Sequence, residues 1–148
     1  MGQIFLDIGH NHILMVTLLA WFIAQTIKVA LGVLRTHRFD FRWFIGTGGM
    51  PSAHAAGSSA LAVVVGLDYG FDTPLLALAA VFAIVTMFDA QGVRRSSGKQ
   101  AQLLNKILDD IYWKGKIQED RLKELLGHTP VEVFMGSIIG ILLALILN

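Results

Sequence analysis

Two histidines carry the chemistry this chain can offer, and each stands at the start of an apolar run. His54 closes the stretch Gly48-Gly49-Met50-Pro51-Ser52-Ala53-His54. Glycines let backbone approach a ligand closely, and a helix start presents amide N–H groups and a partial positive charge to an anion. Proline suits the first helical turn, where its missing donor costs nothing. His128 lies four residues before Glu132, at the start of the last apolar run. A carboxylate there can hold an imidazole in one tautomer and stabilise its cation. The plainer reading of Glu132 is a helix cap, since Thr129-Pro130-Val131-Glu132 fits a capping box, and one carboxylate can serve both ends. Lys28 and Arg35, two turns apart on one helix face, could point at a single anion or simply snorkel at a helix end.

The elements that must position these residues belong to a membrane protein. Hydrophobic residues make up 54% of the 148, and charged residues 16%. Mean hydropathy is +0.60, too high for most soluble domains of this size. The absence of cysteine removes disulfides, thiolate metal sites and thiol nucleophiles. The first dozen residues hold no Lys or Arg, which argues against a cleaved signal peptide.

Four apolar runs follow. Residues 13–34 are long enough, at about 1.5 Å per residue, to cross a hydrocarbon core of about 30 Å. Arg35 to Phe44 is a basic, aromatic connector, read most simply as a membrane-surface belt containing Arg38 and Arg42. The second run, 51–67, is rich in Ala, Gly and Ser, which let helices approach closely in lipid. Thr73-Pro74 caps the third, which ends at Phe88. A polar turn is expected from Asp89 to Arg95. After it come an amphipathic helix over 99–112 and a short amphipathic piece carrying Leu122, Leu125 and Leu126. The last run, 131–147, contains Gly136 and Gly140, a small-residue packing motif.

The expected fold is therefore all-α: a polytopic membrane helical bundle of about four transmembrane helices and one or two amphipathic helices, forming a single integral-membrane domain over 1–148. If the runs cross alternately, all twelve Lys and Arg, from Lys28 to Lys123, fall on one side of the membrane or at its edge. The positive-inside pattern makes that side cytoplasmic, with both termini outside and with His54 and His128 on the charged side. His10 and His12 fall on the opposite side, away from the chemistry.

Together these residues resemble the motifs shared by type 2 phosphatidic acid phosphatases and vanadium haloperoxidases: Lys-x6-Arg-Pro, Pro-Ser-Gly-His and Ser-Arg-x5-His-x3-Asp. Lys28-x6-Arg35 is followed here by Thr36, Pro51-Ser52-Ala53-His54 has Ala53 for glycine, and His128-x3-Glu132 has glutamate for aspartate. The third motif's arginine is out of register, because Arg121 stands six residues before His128 and follows Asp120. The chain is more closely similar to a divergent membrane branch of that superfamily, found in bacteria and plastids. Its signatures appear as residues 48–54, as Asp89-Ala90-Gln91-Gly92-Val93-Arg94-Arg95 with the six residues after it, and as residues 122–130.

The resemblance implies a membrane-embedded phosphatase acting on a lipid phosphate monoester or diphosphate through a phosphohistidine. His128 would be the nucleophile, Glu132 its stabiliser and His54 the acid for the leaving oxygen. Lys28, Arg35 and Ser52 would bind phosphate, with Arg94 and Arg95 as candidates for the third cation. Asp89 would pair with or orient an arginine, with a magnesium role left open although the superfamily's hydrolases need no metal. No metal and no cofactor are implied. The expected partners are a phospholipid or polyprenyl phosphate substrate and membrane lipids, not nucleic acid, with a homo-oligomer left open. Two other readings need less: a non-catalytic protein binding phosphate or anionic headgroups through its cations alone, and a small subunit packing through Gly136 and Gly140.

Overall fold

A computed structural model describes residues 2–39, 49–112 and 127–148, the side chains of Ile4, 93–97 and 109–112 excepted. The described residues form six α-helices and no strand: α1 (Gly2–His10), α2 (His12–Thr36), α3 (Ala53–Tyr69), α4 (Pro74–Gln91), α5 (Val93–Tyr112) and α6 (Pro130–Leu147). This is an all-helical membrane bundle. Arg42, Gly48, Arg121 and the amphipathic piece at 122–126 lie outside the described residues.

Local chemistry sets most boundaries. The side chains of Asn11, Ser52, Thr73 and Thr129 each accept an amide hydrogen bond from the first turn of the following helix. Proline follows at once in α4 and α6. The turn between α3 and α4 passes through Gly70 at φ 99°, a conformation that suits glycine.

Helix α3 is the centre. Residues 55–60 are all buried, because α2, α4 and α6 surround it. Its neighbours meet it along stripes of small side chains: Val16, Ala20, Ala24 and Val29 on α2, Ala79, Ala83 and Ala90 on α4, and Val133, Gly136, Gly140 and Ala144 on α6. A Cβ on Gly136 would collide with the carbonyl oxygen of Ser52, and one on Gly140 with that of Ala56. Two glycines four residues apart thus seat α6 on two carbonyls four residues apart. Both glycines pack within the chain, so they offer no surface to another subunit.

The large apolar side chains point outward instead. Leu78, Val81, Phe82, Val85 and Phe88 on α4 and Phe134, Leu142 and Ile146 on α6 are exposed. Small residues inside and large ones outside suit a bundle bathed in lipid, whereas water would face an apolar surface far larger than soluble proteins carry. By length and composition α2, α4 and α6 qualify as membrane-crossing helices. Helix α3, at 17 residues, is shorter and is shielded by the other three.

Two expectations are corrected. The turn expected over 89–95 is a single residue, Gly92: α4 continues through Asp89 to Gln91, and α5 begins at Val93 rather than Lys99. Residues 2–10 form a helix where none was expected, with His10 Nδ1 donating to the Leu6 carbonyl at 2.6 Å. At the same end of the bundle, the His12 ring bridges Asp68 Oδ2 at 3.4 Å and the Leu147 carbonyl at 3.2 Å, joining α2, α3 and α6.

Candidate active site

The two histidines meet. Their ring centroids lie 6.0 Å apart, with the planes at 63°. His54 stands in the first turn of α3, and His128 just before the cap of α6. Backbone contacts bring these ends together: the Ser52 amide donates to the Glu132 carbonyl at 2.9 Å, and the His128 amide donates to the Ala90 carbonyl at 2.9 Å. The second contact adds the end of α4, and places Asp89 one residue from the carbonyl that anchors His128.

Glu132 does both things the sequence offered. Its Oε2 accepts from the Thr129 amide at 3.1 Å, while the Glu132 amide donates to Thr129 Oγ1 at 3.3 Å, completing the capping box. The same Oε2 accepts from His128 Nδ1 at 3.0 Å. A carboxylate only accepts, so Nδ1 carries the proton and, in the neutral ring, the lone pair sits on Nε2. His128 is only 1% exposed. A buried imidazole with its carboxylate already in contact is oriented before any ligand arrives.

The stem of Lys28 lies against Gly49, three residues before Ser52. A Cβ on Gly49 would come within 3.2 Å of Lys28 Cδ and 3.4 Å of its Cγ, and Gly49 sits at φ 86°. Glycine is therefore the residue that fits beneath the lysine stem. Seven residues on, Arg35 is exposed in the last turn of α2. Ser52 is fully buried, and its hydroxyl oxygen accepts from the Ala55 amide at 3.3 Å. Arg94 and Arg95 occupy the first turn of α5 next to Gly92; their side chains lie outside the described ones. Among the described residues no three His, Asp or Glu side chains gather as a metal-ion site.

Of the residues that sequence reasoning gathered, Ser52, His54, His128 and Glu132 lie together, with Lys28 against Gly49 and Asp89 beside the Ala90 carbonyl; Arg35 is exposed on α2, and the side chains of Arg94 and Arg95 lie outside the described ones. Sequence reasoning did not find the carbonyl of Ala90, since any residue can supply a carbonyl. Nor did it find that Gly49 makes room for Lys28.

A helical membrane protein with two facing histidines, one of them carboxylate-bound, is the class these observations define. The chain belongs to the Divergent PAP2 family, whose model matches residues 9–143. It is also similar to the uncharacterized membrane protein YuiD of Bacillus subtilis (strain 168), with 43% identity over 148 residues covering 93% of this chain and 94% of YuiD. No solved structure matches it.

Proposed function

We propose that this protein hydrolyses a lipid phosphate monoester or diphosphate through a phosphohistidine on His128. The observation that carries the reading is the buried His128, bonded through Nδ1 to Glu132 and faced by His54. The Nε2 lone pair attacks phosphorus, forming the N–P bond as the bond from phosphorus to the leaving oxygen breaks. Protonated His54 gives its proton to that oxygen, so the lipid product leaves neutral at that position. Glu132 stabilises the positive charge that the His128 ring acquires. Water then attacks phosphorus, its proton passes to His54, the N–P bond breaks and inorganic phosphate departs. Lys28 and Arg35, with Arg94 or Arg95, offset the charge on the equatorial oxygens, where it concentrates in phosphoryl transfer.

The same reading makes the protein multi-pass, with the site end cytoplasmic. The twelve Lys and Arg support this, because none follows Lys123 or precedes Lys28. A phosphate presented at that face belongs to a lipid in the cytoplasmic leaflet.

Purified protein in lipid vesicles, assayed for phosphate release from phosphatidic acid and polyprenyl diphosphate beside His128→Ala, tests the proposal. Release by the native chain and none by the variant is expected. Equal rates, or binding of phosphate with no release from any lipid, would leave a headgroup-binding protein in its place.

A further inference from the structure

Helix α5 carries an apolar stripe that no described part of the protein covers. Leu103, Leu104 and Ile107 are 60%, 49% and 42% exposed on this helix. Gly98 and Asn105, seven residues apart and both buried, mark the face turned into the protein. Leu103 and Ile107 lie well around the helix from that face. Among the described helices α5 packs only on α4.

Two observations say what covers the stripe. The exposed apolar surface of α4 runs through Val85 to Phe88, and only Gly92 separates the end of α4 from α5, so α5 begins where the lipid-facing surface ends. Lys99 and Lys106, also seven apart and both exposed, border the stripe beside Leu103. An apolar face edged by lysines fits a bilayer boundary: leucines and isoleucine enter the acyl region, while ammonium groups rise to the phosphates. We propose that α5 lies in the headgroup layer of the membrane that holds the bundle, with Leu103, Leu104 and Ile107 turned to the acyl chains. The partner is a lipid surface rich enough in anionic headgroups to meet Lys99 and Lys106. Since α5 follows the end of α4 that anchors His128, this helix rests on the leaflet nearest the candidate site. The proposal depends on the bundle being in a membrane and not on the phosphatase reading.

The chain has no native cysteine, so Leu103→Cys, Ile107→Cys and Gln102→Cys each accept one environment-sensitive nitrobenzoxadiazole dye. Phe88→Cys serves as a lipid-facing reference. The full-length protein is placed in vesicles of equal parts phosphatidylcholine and phosphatidylglycerol, with either nitroxide-bearing lipid or iodide on both sides. Dyes at 103 and 107 should lose most of their fluorescence to the nitroxide lipid, as at 88, and little to iodide. The dye at 102 should show the reverse. Iodide reaching 103 and 107 as readily as 102 would overturn the proposal, because the stripe would then face water. Resistance of 103 and 107 to both quenchers would overturn it too, because protein would then cover the stripe.

Discussion

The amide of Ser52 donates a hydrogen bond of 2.9 Å to the carbonyl oxygen of Glu132, so the residue that caps α3 is tied to the residue that holds His128. Each partner has a second task nearby. Ser52 accepts from Ala55 with its hydroxyl, and its own carbonyl lies against Gly136. Glu132 accepts from Thr129 and from His128 with one oxygen. Main-chain bonds at the junction of two helix starts thus fix the backbone on which His54 and His128 stand, and the Glu132 carboxylate orients the His128 ring.

Glutamine at 132 separates the charge of Glu132 from its hydrogen bonds. An amide oxygen still accepts from Thr129 and His128, so Glu132→Gln should fold as the native protein does. It lacks the charge opposite an imidazolium, and a charge-assisted bond is roughly twice as strong as a neutral one. Losing about 1.5 kcal/mol from a charge-assisted contact corresponds to roughly tenfold slower turnover. Phosphate release at unchanged thermal midpoint is the measurement; full activity would reduce Glu132 to a cap.

Gly136→Ala and Gly140→Ala should both destabilise the bundle, since each new methyl group meets a backbone carbonyl that cannot rotate away. Overpacking of this kind costs typically about 1–3 kcal/mol. The two should differ in function. Gly136 faces Ser52 and should disturb the site, while Gly140, one turn deeper against Ala56, should lower the thermal midpoint with less effect on anion binding. Thermal unfolding in detergent, followed beside vanadate binding, distinguishes them.

What the sequence made legible was local. The Thr73-Pro74 start and the Thr129–Glu132 box depend on residues within a turn of one another, and α4 and α6 begin where those signals stand; Pro51, expected in a first helical turn, instead precedes the Ser52 cap, and α3 begins at Ala53. The start of α5 was not legible, because residues 93–98 carry no apolar period and Gly92 reads as a breaker of a longer turn. Helix α1 was hidden for a related reason: nine residues with no cap signal do not stand out from an extended tail. The meeting of His54 and His128 followed from motif resemblance and alternating spans. The contacts that enforce it, Ser52 to Glu132 and His128 to Ala90, run through main chain and leave no mark on residue type.

Lys28 and Arg35 separate by position. The Lys28 stem lies against Gly49, three residues before Ser52, whereas Arg35 is exposed at the end of α2. Lys28→Ala should weaken vanadate or phosphate binding by about ten- to hundredfold, the worth of a charge-assisted contact of roughly 1.5–3 kcal/mol. Arg35→Ala should weaken it less, because water screens an exposed charge. Titration of both variants at one ionic strength checks the order; unchanged binding by Lys28→Ala would make that lysine a snorkelling residue.

The two histidines should fail in different ways. His128→Ala removes the atom that bonds phosphorus, so both turnover and covalent labelling by a radiolabelled lipid phosphate should vanish. His54→Ala leaves the nucleophile and its carboxylate in place and removes only the proton donor. A lipid alkoxide is a poor leaving group and needs that proton, whereas an activated aryl phosphate leaves without it. The lipid substrate should therefore slow by about 10²- to 10⁴-fold, the usual range for general acid catalysis, while the aryl phosphate keeps most of its rate. Equal loss on both substrates would mean that His54 holds the site together rather than donating a proton. The position of His54 in the first turn of α3, with His128 6.0 Å away and held independently by Glu132 and Ala90, favours the split.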